Sequence, residues 1–350
     1  MKFSNNYIFY PNNDELVKAI AHYQSLPCDQ DALDDTPDND VAVQDIFIYT
    51  RGNFEQHRFN TNILESARGA FESILTERLR EEAPLEWAKS HNSLGNILAA
   101  LGQQRMDVGL FEKAITSFNS ALEEFSQENT PSDWAAAQYN LGTATQALGR
   151  QLSDSKLLKT SIDAYTDALL VWTREGMPLE WATTMYQLGA SFHTFGKLLK
   201  GNRTFQKSVV AFKNALAGFD ADNHALELAA THNSRGAVLH NLAESEDNAE
   251  RLEEAIRSYE TALTVCMEQQ LPFHLAVLCR VNKSIAKGVL AELTKDTALA
   301  SEVADDFELI IECFPHALQP LCMKHCEEQL TKAQSMIKTS RGNEGEVSSA

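Results

Sequence analysis

Apolar and aromatic residues in the middle of this chain recur at spacings of three and four. Trp87, His91, Leu94, Leu98 and Leu101 make one such row, and Phe111, Ile115, Phe118, Leu122 and Phe125 make the next. That spacing marks one face of an α-helix, so each row predicts a helix of about 18 residues. The repeated region has no alternation of apolar and polar residues, and no strand is expected there.

The rows repeat. Pro84-Leu-Glu-Trp87-Ala88 returns as Pro131-Ser-Asp-Trp134-Ala135 and as Pro178-Leu-Glu-Trp181-Ala182, then weakens to Ala225-Leu-Glu-Leu228-Ala229 and Pro272-Phe-His-Leu275-Ala276, each step being 47 residues. Leu94-Gly95, Leu141-Gly142, Leu188-Gly189 and Arg235-Gly236 keep the same step, as do Phe118, Tyr165, Phe212 and Tyr259. A fixed period of this size is the mark of a stacked array of supersecondary units, and it overrides a domain count taken from length. One step back gives a degenerate unit with Pro37, Ala67, Phe71 and Leu75. The expected organisation is an N-terminal segment with an acidic linker (1–36), six helical-hairpin repeats over 37–318 starting at 37, 84, 131, 178, 225 and 272, a capping helix over 319–337, and a disordered tail over 338–350.

Within each unit, a proline followed by an acid opens the first helix, where a missing N–H is harmless and a carboxylate meets the positive end of the helix dipole. Gly102, Gly149 and Gly196 are expected at its C-terminus. Gly95 and Gly142 fall mid-helix, where glycine costs about 1 kcal/mol against alanine, so their recurrence predicts a close approach of the two helices of a pair.

Composition narrows the partners. The chain has 350 residues and a formal charge of −19, which disfavours nucleic acid and anionic membrane. No segment has the roughly 18 uninterrupted apolar residues of a membrane span, and the N-terminus has no apolar run of signal length, so a cytoplasmic location is expected. Six cysteines are too few and too unevenly placed for a secreted disulfide framework. Charge is uneven along the repeats. In residues 178–224 five cations against three acids leave +2, whereas in residues 225–271 three cations against nine acids leave −6. Lys197, Lys200, Arg203 and Lys207 cluster at the inter-helix loop of the first of these units, and Glu244, Glu246 and Asp247 at that of the next. Two readings stand: charge pairing between neighbouring loops, or an edge that docks an acidic partner or a second copy.

The columns Leu94-Gly95, Ala114, Phe118, Ala121 and Pro131 resemble the tetratricopeptide repeat (TPR) pattern, in a long-helix bacterial variant whose unit is 13 residues longer than the family's 34. The resemblance covers most of residues 37–337. It implies an all-α fold, a right-handed α-solenoid of antiparallel helix pairs, serving as a protein-interaction scaffold. It also implies that the first helix of each pair lines a concave groove with a stripe of ligand contacts. Carried onto this sequence, the stripe includes Lys89, Asn92, Asn96, Tyr139, Thr143, Tyr186, His193, Asn233, His240, Arg280 and Lys287, and none of its twenty positions is acidic. The lysine, arginine and asparagine pattern by which some TPR domains clamp the acidic tail of heat-shock chaperones is matched at Lys89 and Asn140 only, which argues against that ligand. The tyrosines and amides of the stripe suit an extended peptide or a partner helix.

Other chemistry is weakly represented. Cys313, His316, Cys322, His325 and Cys326 lie within 14 residues, but five of the six cysteines occupy core columns of the repeat, where a thiol acts as a small apolar group, so no metal is expected. The acidic run from Asp29 to Asp40 lacks the glycine and terminal glutamate of a calcium loop. No phosphate loop, nucleophile elbow or paired-carboxylate motif occurs, and no cofactor is expected. His193 and His240 share a column without a nucleophile beside them. The sequence therefore points to a non-catalytic scaffold or adaptor that binds a neutral or mildly acidic protein or peptide in its groove and has some capacity for self-association. The alternative is a regulatory peptide receptor whose superhelix changes pitch on binding.

Overall fold

The structure, a computed structural model, describes residues 61–271, 273–313 and 320–347. The expected 1–36 segment, and the first repeat as far as residue 60, lie outside the described residues. Among those described, every regular element is an α-helix. In chain order they are α1 Thr61–Ile74, α2 Glu77–Glu82, α3 Pro84–Arg105, α4 Val108–Glu124, α5 Pro131–Gln151, α6 Ser155–Ala168, α7 Pro178–Leu199, α8 Asn202–Leu216, α9 Ala225–Glu246, α10 Ala249–Glu268, α11 Phe273–Thr294, α12 Thr297–Cys313 and α13 Pro320–Val347. None is long and apolar enough to cross a membrane. The described helices fall into two compact units, one ending at Gly218 and one beginning at Phe219.

The first unit is built of helix pairs stacked in order. α3 packs on α4, α5 on α6 and α7 on α8; α4 also packs on α5 and α6 on α7. The inner helices touch one another in succession, α3 on α5 and α5 on α7. The second unit follows the same plan, with α9 on α10, α10 on α11, α11 on α12, α12 on α13, and the contacts α9–α11 and α11–α13. This is an α-solenoid, in which each pair covers the apolar face of the one before it.

Local signals place the helix starts. Pro84, Pro131 and Pro178 each occupy the first turn's proline position, followed by Glu86, Asp133 and Glu180. The partner helices begin differently, on a side-chain cap. Asp107, Asp154 and Asn248 each accept backbone N–H bonds from the first turn of α4, α6 and α10. The helix ends depart from expectation. Gly102, Gly149 and Gly196 lie inside α3, α5 and α7, which continue to Arg105, Gln151 and Leu199. The left-handed residues after the inner helices are Met106, Ser153, Lys200, Asp247 and Lys295. The three glycines instead admit the second helix near the turn, since a Cβ at Gly196 would lie 2.8 Å from the Phe205 ring and one at Gly149 3.0 Å from Leu158.

The mid-helix glycines do the same at the centre of each pair. A Cβ at Gly95 would stand 2.5 Å from the Phe118 ring, and at Gly142, Gly189 and Gly236 it would stand 2.8, 2.9 and 2.7 Å from Tyr165, Phe212 and Tyr259. All four rings are almost wholly buried. Successive pairs are sealed by a second set of aromatics. Trp87 packs with Ala121, Phe125 and Ala137 and with the partly buried Trp134. The Arg80 guanidinium lies 4.4 Å above the Trp87 ring while bonding Glu123 and Glu124, each at 2.8 Å. In the second unit the terminal core gathers Val277, Val281, Val303, Phe307, Ile310 and Cys326. α13 runs to Val347, past Lys338, where the sequence suggested a tail.

Replacing Gly142 by alanine therefore sets helix propensity against overlap. Propensity gains about 1 kcal/mol and the forced shift of a buried ring costs about 1–3 kcal/mol, so Gly142→Ala should lower the thermal midpoint. Gly69 in α1 has nothing within 4 Å of its hypothetical Cβ, and Gly69→Ala should raise the midpoint in the same melting experiment.

Candidate functional site

The stripe lies on α3, α5 and α7 in the first unit and on α9 and α11 in the second, and its side chains do not share one fate. Helix geometry turns about 100° per residue, so positions three before and four after the central glycine lie only about 60° and 40° from it. They are drawn toward the partner helix. Tyr139, three before Gly142, is 1% exposed, with its ring 5.6 Å from both Tyr165 and Trp172. Tyr186 packs on Phe212 at 5.6 Å. His193, four after Gly189, is 1% exposed against Phe205. These three were expected as groove contacts; in the structure they belong to the packed interior of their hairpins.

The buried amides link one inner helix to the next. Asn140 Nδ2 donates to Asn92 Oδ1 at 3.1 Å, joining α5 to α3, and in the second unit Asn282 Nδ2 donates to Asn233 Oδ1 at 2.9 Å, joining α11 to α9. Gln146 Nε2 donates to the Gln187 carbonyl at 3.0 Å and to Ser191 Oγ at 2.8 Å, joining α5 to α7. Tyr165 donates its hydroxyl proton to Thr143 Oγ1 at 3.1 Å, and Thr143 donates to the Tyr139 carbonyl at 3.0 Å. Burial, with Tyr139 close by, raises the Tyr165 phenol well above its ordinary pKa. Asn92, Asn233 and Thr143 are thus held by the protein itself, and they fix the register of adjacent inner helices. The asparagine pairing joins residues 48 and 49 positions apart, a cross-unit spacing visible in the sequence only once the helices are known to touch.

The remaining members reach the surface. Lys89 is exposed and donates to Glu86 at 2.9 Å, while Asn96 is partly buried on α3. In the second unit, His240 Nε2 lies 3.6 Å from Glu244 Oε1, and its ring holds that carboxyl below its usual pKa. Arg280 is partly exposed on α11, and Lys287 pairs with Glu302 at 3.1 Å. The cations at the ends of a stripe without carboxylates are therefore matched by carboxylates from outside it. Among stripe positions, Asn96 Oδ1, His240 Nε2 and Oγ1 of Thr183, six residues before Gly189, are shut away from solvent without a hydrogen-bond partner.

The thiols divide as well. Cys266, Cys279 and Cys326 are buried, but Cys313, assigned to a core column, is exposed at the last position of α12, where the helix ends before its face can be covered. His316 and Cys322 lie outside the described side chains. Among the described residues no three metal-ligating side chains come together.

Two measurements separate a structural from a ligand role. Asn92→Ala leaves the Asn140 amide buried with its donor unmatched, and should cost about 1–3 kcal/mol in denaturant unfolding; a side chain used only for ligand would leave stability unchanged. Burial lowers the pKa of His193 to about 3 and of His232 to about 4. Both folded-state values lie below the unfolded value, so the unfolded chain binds more protons as pH falls below about 6.5, and stability should fall by about 1.4 kcal/mol per pH unit for each histidine. His193→Gln should flatten that slope between pH 6.5 and 5 in urea melts.

No protein-family model matches the chain, and no curated protein matches it. Among solved structures it is similar to the C-terminal part of a TPR repeat-containing protein from Cytophaga hutchinsonii, with 11% identity, 75% of this chain and 95% of that one covered, and a TM-score of 0.30.

Proposed function

We propose that the chain is a non-catalytic protein- or peptide-binding scaffold of TPR type, built on the 47-residue period, whose ligand lies along the inner-helix stripe. The observation that carries this reading is the unmet capacity of Oδ1 of Asn96, a partly buried residue of α3. An enclosed polar atom without a partner costs about 1–3 kcal/mol, and proteins keep such groups where something else completes them. A side-chain amide suits the main chain of an extended peptide, which offers both donors and acceptors. Lys89 and Asn96 supply the accessible contacts on the inner helices of the first unit; His240, Arg280 and Lys287 are the accessible stripe positions of the second, taken by itself. Because Lys89 and Lys287 already face Glu86 and Glu302, a neutral ligand is favoured over an acidic one. Enclosure of His193 against Phe205 removes it as an acid or base for substrate.

Tyrosines 139 and 186 are unsuitable probes, since truncating either would open the core. A displayed random peptide library panned on the full chain provides the test. Selected peptides should lose about tenfold or more in affinity on Asn96→Leu, in line with about 1.4 kcal/mol or more for a desolvated hydrogen bond. Peptides that bind the variant as tightly as the parent would overturn the stripe as the site.

A further inference from the structure

The outer helices of the array carry mixed charge in most pairs. α4 exposes Glu112 beside Lys113, and α6 exposes Lys156 and Lys159 with Asp163. α8 and α10 differ. From Trp181 to Phe219 the chain has no carboxylate at all, and α8 with its leading turn exposes Lys200, Arg203, Lys207 and Lys213. Among the described residues none of these four forms an ion pair, and Val210 between them is 57% exposed. Forty-seven positions on, the corresponding residues are Asp247, Glu250, Glu254 and Glu260. Every cation of the row has an acid at the equivalent place.

The backbone makes that equivalence spatial. Lys200 and Asp247 both sit in the left-handed region, at φ 51°, ψ 43° and φ 48°, ψ 44°, and the N-cap residues Gly201 and Asn248 share φ −108°, ψ 103°. Each turn therefore launches its outer helix in the same way, and the two rows have identical spacings along their helices. Three of the four acids, Asp247, Glu250 and Glu260, are exposed; Glu254 is partly turned inward to Arg235. The counterpart of Val210 is Arg257, which is exposed and paired with Glu253 of the same helix at 3.6 Å, so that cation is matched within α10.

We propose that the α8 face is an interaction surface for a second copy of this chain, receiving the acidic α10 face of its neighbour. Two α8 faces repel each other, as do two α10 faces, so each contact joins an α8 face of one copy to an α10 face of another. The large like charge of two copies does not forbid this, because at about 0.15 M salt charges more than about 8 Å apart are screened and only the facing rows interact. α12 also exposes acids, Glu302, Asp305 and Glu308, but Glu302 is taken by Lys287 and the row lacks the spacing of the α8 cations.

Sedimentation of the full chain over a concentration series tests the proposal. At about 0.05 M salt the weight-average mass should climb above that of the monomer with concentration, and at about 0.5 M salt it should return to that of the monomer, because the screening length shortens severalfold between the two. The triple variant Arg203→Glu, Lys207→Glu, Lys213→Glu and the double variant Glu250→Lys, Glu260→Lys alter exposed side chains only, and each alone should remain monomeric. Mixed together, they should associate again. A chain monomeric throughout at low salt, an association unchanged by salt or by the reversals, or a mixture that stays monomeric would each overturn the proposal. So would binding of a polyglutamate peptide to the α8 row of a chain that never self-associates, which would assign the surface to an acidic partner of another kind.

Discussion

The close approach of paired helices at a central glycine is the constraint on which the rest of this structure depends. An aromatic ring from the partner helix occupies the space a side chain would need, at 2.5 to 2.9 Å from the hypothetical Cβ in four successive pairs. Glycine is a poor helix former, so its presence mid-helix is a cost offset by packing. With the two axes held this near, flanking positions on the inner helix fall under the same ring or beside it. The burial of Tyr139 and Tyr186, and the need for a second set of glycines near the turns, follow from that single distance.

Close packing in turn decides where polar groups can go. Side chains that would face an open surface in a looser stack are enclosed between successive inner helices, where they must bond to one another. The Asn92–Asn140 and Asn233–Asn282 pairs, and the Gln146–Ser191 contact, meet that requirement and set the register of one inner helix on the next. In the first unit a ligand stripe is thereby narrowed to the positions about 100° or more from the glycine, with Lys89 and Asn96 the accessible examples. The outer helices escape this constraint, and there charge is free to vary from pair to pair, as α8 and α10 show.

Much of the architecture was legible because it rests on local rules repeated many times. Apolar rows at three and four gave the helices, proline followed by an acid gave the inner-helix starts, and the alignment of Gly95 with Phe118 and of Gly142 with Tyr165 announced a close contact before either helix was placed. The sequence misled where a residue's role depended on angle. The stripe placed Tyr139 and His193 by analogy of position, without asking how near in rotation each lies to the glycine. The same limit applied to Gly102, Gly149 and Gly196, read as helix ends by residue type. Met106, Ser153 and Lys200 take the left-handed position instead, and the glycines serve the approach of Phe111, Leu158 and Phe205.

By itself, then, the sequence determined an all-helical repeating array, the pairing of its helices, and the inversion of charge between the units beginning at residues 178 and 225. These are properties of periodicity and residue type, which survive in one dimension. Only the tertiary structure decided which side of each inner helix is shut, which amides are spent on neighbouring helices, and which charged rows stand unpaired on an outer face. Those outcomes depend on the distance and rotation between helices, fixed jointly by rings and glycines far apart in the chain.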